Sequence, residues 1–176
     1  MLFKISENLY NAILSYINKN YRPALEAEEY DYFQLCEAKI SYKDAEHLQS
    51  CMPQRKLEDL VAELDETFSE KLIRLIDQKG LKDPDVYKKA NIDRKLFSKI
   101  KNKKDYKPTK NTALAFAFAL ELSLDETLDL IGSAGYTLSH SSKFDIIIEY
   151  CLQEKIYNLV EINNVLFSFE QPTLTA

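Results

Sequence analysis

Cationic side chains concentrate in one part of the chain. Residues 71–110 carry 14 Lys and Arg against five Asp and Glu, a local charge of +9 in a protein whose net charge is −5. A basic block inside an acidic chain indicates a face that meets an anion such as a nucleic acid. The same block also fits a solvated lysine face that balances acidic neighbours, and charge alone does not choose between the two.

Other reactive side chains form no pattern that indicates catalysis. His140 stands in S-H-S-S before a helix, with no nucleophile or orienting acid legible nearby, which favours a surface or capping role. His47 and Cys51 are four residues apart, as two metal ligands on a helix would be, but no second pair has ligand spacing. Carboxylates at 125–129 fit the start of a helix. We therefore expect neither an enzyme nor a metal or cofactor site.

The composition predicts an all-α protein. Only 3 Gly and 5 Pro occur among 176 residues, whereas an all-β chain needs many turns. No apolar run is long enough to span a membrane, and no signal peptide is legible. Three widely spaced cysteines (Cys36, Cys51 and Cys151) fit reduced thiols. These features predict a soluble cytoplasmic protein without membrane contact.

Apolar spacing and capping signals predict the helices. Thr67 with Glu70, and Ser123 with Glu126, have the spacing of capping boxes, and Gly80 and Gly135 are suited to close helices. Residues 22–54 fit a strand, a helical turn or an aromatic loop equally well, and the residues from 171 onward are expected to fray. Helices are predicted over 5–21, 54–64, 68–79, 83–89, 94–102, from 109 or 111 to 122, 124–134, from 141 or 142 to 153, and 158–169.

Prolines divide the chain into two predicted units. Pro23 and Pro53 bracket the ambiguous stretch, so residues 1–54 are expected to form an appendage to a main unit at 55–176. An aromatic cluster at 30–33 makes this appendage a candidate homodimer interface. Its deletion is expected to leave 55–176 folded and to weaken self-association.

The middle of the chain resembles the lambda-repressor/Cro-type helix-turn-helix domain. The resemblance covers about 65 residues and rests on FSEKLIRLIDQKG, LKDPDVYKKANIDRKLFSKIKN and YKPTKNTALAFAFALELSLDETLDLI, with Gly80, a turn at Asn91 and Pro108 in order. It implies a five-helix unit over about 67–135 and binding to double-stranded DNA. The second helix of such a motif projects its outer face into the major groove.

The resemblance also implies which side chains contact DNA. The base-reading positions of the family match Asp93, Arg94, Lys95 and Ser98, with Lys99 on the same face. An Arg at such a position is suited to bidentate pairing with guanine. Lysines on the following loop and helix start are expected to neutralise phosphates; they are Lys101, Lys103, Lys104, Lys107 and Lys110.

Four positions depart from the family pattern, and three of them favour a different function. Asp83 and Asp85 stand where the first motif helix approaches phosphate, and Tyr87 replaces the usual Ala against the partner helix. The turn residue is Asn91 where Gly is usual, and Asn tolerates the left-handed conformation. The alternative is a protein-interaction module, with a protein partner, that kept the fold without binding DNA.

The rest of the chain forms a predicted helical extension. ANIDRKLFSKI and LSHSSKFDIIIEY are similar to accessory regions of bacterial proteins, some of which carry an ADP-ribose-binding macrodomain, although no macrodomain is legible here. This similarity implies an adaptor in a bacterial signalling or defence pathway. The favoured expectation is a bacterial transcriptional regulator that binds DNA, and the adaptor is the alternative.

Overall fold

All regular structure in the described residues is α-helical. The computed structural model describes residues 5–23, 66–103 and 105–175, and within these ranges it contains eight helices and no strand, which confirms the all-α class there. None of these helices is both long and apolar enough to cross a bilayer. They are α1 Glu7–Asn20, α2 Phe68–Gln78, α3 Asp83–Lys89, α4 Arg94–Asn102, α5 Lys110–Ala119, α6 Leu124–Ser133, α7 Lys143–Gln153 and α8 Leu159–Ser168.

Local signals placed the starts of α2 and α6 correctly, whereas α5 ends at Ala119 and not at residue 122 as predicted. Both predicted capping boxes are formed, at the starts of α2 and α6. In the second, the Ser123 N–H donates to Glu126 Oε2 over 2.8 Å, and this bond holds the pKa of Glu126 below its ordinary value. Asn91, between α3 and α4, has a φ of 52°, the left-handed conformation that its residue type was predicted to tolerate.

Helix α5 forms the centre of the core. Every residue from Ala113 to Ala119 is buried, as predicted for Phe116 and Phe118. Helices α3, α6 and α8 pack against α5, and α2 packs against α4 and α6. An apolar helix without a polar face needs neighbours on several sides, and this arrangement supplies them.

Helix α1 belongs to the same compact unit as residues 66–175, in contrast to the predicted division at residue 54. Its apolar side packs on α7 and buries Ile13 and Ile17. The Tyr16 hydroxyl donates to Glu149 Oε1 over 3.1 Å, and burial, followed by this carboxylate, raises the Tyr16 pKa. The other predictions for the first third of the chain fall on residues 24–65, outside the described ones: the 54–64 helix, the aromatic cluster and the His47–Cys51 pair.

Residues 171–175 are anchored rather than frayed, contrary to expectation. Leu174 is only 5 % exposed and joins the core. Its backbone N–H donates to Asn163 Oδ1 on α8 over 2.9 Å. The prediction failed because the local sequence gives no sign of an anchor that lies on a different helix.

Cys151 is expected to resist thiol reagents in the folded protein. Burial on α7, followed by the charge of Glu161, raises the pKa of its thiol to about 12. Since the thiolate is the nucleophile, alkylation should be slower than that of a free thiol by about 100-fold or more. Mass spectrometry after iodoacetamide treatment at pH 8 should find Cys151 unmodified in native protein and modified in urea. Rapid native labelling would contradict the buried position.

Candidate nucleic-acid interface

Helices α3 and α4 are joined by a tight turn and packed through aromatic side chains. The Ile92 N–H donates to the Tyr87 carbonyl over 2.8 Å, and the Asp93 side chain caps α4. Phe97 lies against Tyr87 at 5.6 Å and against Phe116 of α5 at 5.9 Å, measured between ring centroids. Tyr87 therefore takes part in fixing the two helices on the core.

The outer face of α4 is exposed and cationic. Arg94, Lys95 and Ser98 are exposed, whereas Phe97 and Ile100 point into the core. Neither Arg94 nor Lys95 forms an ion pair with another described residue. Both cations are thus exposed to solvent without a described acidic partner.

A shallow cleft of about 450 Å³ separates the outer edges of α3 and α4. Arg94, Ser98 and Lys101 line it from α4. On the α3 side Asp83 pairs with Lys101 at 2.6 Å. An exposed pair of this kind is worth about 0–1 kcal/mol, so an incoming phosphate can compete for the lysine. Asp83 nevertheless lowers the positive charge of the cleft.

The remaining predicted lysines occupy different environments. Lys99 Nζ lies 4.8 Å from the centroid of the Tyr106 ring. Lys103 is exposed, and its carbonyl accepts from the Ser69 hydroxyl over 3.2 Å. Lys107 is also exposed. Lys104 lies outside the described residues.

Lys110 is directed inward, which removes it from the predicted phosphate contacts. Its Nζ lies 2.6 and 2.7 Å from the two carboxylate oxygens of Asp145 on α7. The Asp145 side chain is 5 % exposed and also accepts the Ser139 N–H over 2.9 Å. A buried carboxylate needs a cation nearby, and Lys110 is that cation.

His140 takes part in contacts between α1 and α7. Its Nε2 lies 2.9 Å from Glu149 Oε2, and its carbonyl accepts the Arg22 N–H over 2.9 Å. Glu149 also accepts from Tyr16. The imidazole of His140 therefore has a carboxylate partner on α7. Within the described ranges no group of three or more His, Cys, Asp or Glu is placed to hold a metal ion.

Comparisons with protein-family models, curated proteins and solved structures find no match for this chain.

Proposed function

We propose that residues 67–135 form a lambda-repressor-type unit and that the protein binds double-stranded DNA through α4. The observation that carries the proposal is the outer face of α4, where Arg94, Lys95 and Ser98 are exposed beside a short partner helix. A major groove admits one α-helix, and the start of such a helix reaches base edges. Regulation of transcription is the role that fits such binding.

The side chains divide into two groups by the contacts they are suited to make. Arg94 carries a planar fork that matches guanine O6 and N7, and the Ser98 hydroxyl is suited to either a base or a phosphate. Lys95, Lys99, Lys103 and Lys107 present flexible ammonium groups that neutralise phosphates. Lys101 joins this second group when it leaves Asp83.

Replacing Arg94 by alanine is expected to weaken binding to a preferred site by about 1–3 kcal/mol and to relax specificity. The matched control is Arg22→Ala, which removes an exposed arginine beyond the end of α1. Lys107→Ala should instead weaken binding to all DNA sequences alike. It should also lower the slope of log affinity against log salt concentration by about one. Fluorescence anisotropy with a selected duplex and random duplexes measures both effects.

Two results would contradict DNA binding by this face. The first is no detectable affinity of the wild-type protein for any duplex at low salt. The second is equal affinity of Arg94→Ala and Arg22→Ala for the selected site.

One observation favours an adaptor that binds a protein instead. Asp83 and Asp85 occupy the first turn of α3, where they repel phosphate, and Asp83 also pairs with Lys101. Asp83→Asn together with Asp85→Asn distinguishes the two functions. For a DNA-binding protein the double variant should gain affinity for random duplexes, because two like charges are removed. For an adaptor, neither wild type nor variant should bind.

Homodimer formation remains a prediction, because the aromatic cluster at 30–33 on which it rests lies outside the described residues. The apolar side of α1 packs within its own chain, so α1 does not offer that side to a second copy. Val160 and Phe167 of α8 are exposed by 62 % and 61 %, and they are the largest apolar exposures recorded among the described residues.

A further inference from the structure

Residues 173–175 lie against asparagine side chains from three places in the fold. Asn111 Nδ2, at the start of α5, donates to the Thr173 carbonyl over 3.1 Å. Asn163 on α8 accepts the Leu174 N–H over 2.9 Å and donates to the Thr175 carbonyl over 3.5 Å. These contacts are made to main-chain groups, so they hold the segment irrespective of its side chains.

Two further contacts depend on the side chains of the segment. Leu174 is buried and joins the core. The Thr175 hydroxyl accepts from Asn91 Nδ2 over 3.4 Å, and Asn91 is the left-handed residue of the α3–α4 turn. Main-chain hydrogen bonds give a peptide-binding groove its affinity, and a pocket for one side chain gives it specificity.

We propose that Asn91, Asn111 and Asn163 line a peptide-recognition groove, and that residues 173–175 fill it as a tethered ligand. The ligand chemistry is a short segment with leucine between two threonines, bent at the leucine. Only a few residues link this segment to the end of α8 at Ser168. A short tether gives an effective concentration in the millimolar range, so the groove is normally occupied. The proposal does not depend on DNA binding.

The test uses the full-length chain with Leu174→Ala and a labelled peptide of residues 170–175 with both ends blocked. Loss of the leucine anchor should free the groove. The peptide should then bind Leu174→Ala more tightly than wild type by about ten-fold or more, because the tethered competitor is weakened. The same peptide with alanine in place of its leucine should not bind. Circular dichroism reports whether the variant remains helical.

A measurement on the wild-type chain keeps the proposal testable if Leu174→Ala does not fold. Amide hydrogen exchange should show protection at Leu174, whose N–H is bound to Asn163. Asn163→Ala should remove that protection. The neighbouring Asn164→Ala should retain the protection. The hydrogen bond given for Asn164 is one that its backbone carbonyl accepts from the Ser168 hydroxyl within α8.

The proposal fails if the peptide binds wild type and Leu174→Ala equally, or binds neither when both are folded. It also fails if the Leu174 amide of the wild-type chain exchanges as fast as that of an unstructured peptide.

Discussion

Replacing Lys110 by alanine is expected to lower the free energy of unfolding by about 3 kcal/mol, because it leaves the Asp145 carboxylate buried without its cation. The estimate lies at the lower end of the range for broken buried pairs, since the Lys110 side chain is 25 % exposed and water can approach it. Urea denaturation followed by circular dichroism measures the change.

Lys107→Ala is the matched control for this substitution. Lys107 is an exposed lysine in the same loop region, and its replacement should change stability by no more than about 0.5 kcal/mol. DNA binding should show the reverse pattern. Lys107→Ala should weaken the affinity for DNA and Lys110→Ala should not, because only Lys107 is proposed to contact phosphate. Equal stability of the two variants would show that Lys110 is not the partner of Asp145.

Replacing Ile13 by alanine is expected to destabilise the protein by about 2–5 kcal/mol, the usual cost of truncating a fully buried isoleucine. Ile13 has no exposed surface because α1 lies against α7. Deletion of residues 1–23 should be more damaging, since it uncovers the α7 surface that α1 protects. Thermal unfolding monitored at 222 nm compares these variants with wild type.

The neighbouring residue provides the control for this second prediction. Leu14 is 39 % exposed, so Leu14→Ala should cost much less than Ile13→Ala. If the variant that lacks residues 1–23 is as stable as wild type, the N-terminal segment is an independent appendage. Equal costs for the two alanine variants would likewise contradict the packing of α1 on α7.

Features that depend on neighbours in the chain were legible in the sequence. The capping boxes at Thr67 and Ser123 need partners three residues away, and the turn at Asn91 depends on the residue type itself. The apolar run of α5 likewise predicted a buried helix. Arg94 and Lys95 were named only because they match the base-reading positions of the helix-turn-helix resemblance, and both are exposed.

The tertiary structure alone decided which charged groups stay available and which segments join the core. Lys101 pairs with Asp83, 18 residues away, and Lys110 pairs with Asp145, 35 residues away. The sequence does not distinguish one lysine from another. A lysine that is buried beside a carboxylate stabilises the fold, whereas an exposed lysine can contact a phosphate. The same reason applies to Ile13 and Leu174, since an apolar side chain becomes part of a core only when a distant helix supplies the surface that covers it.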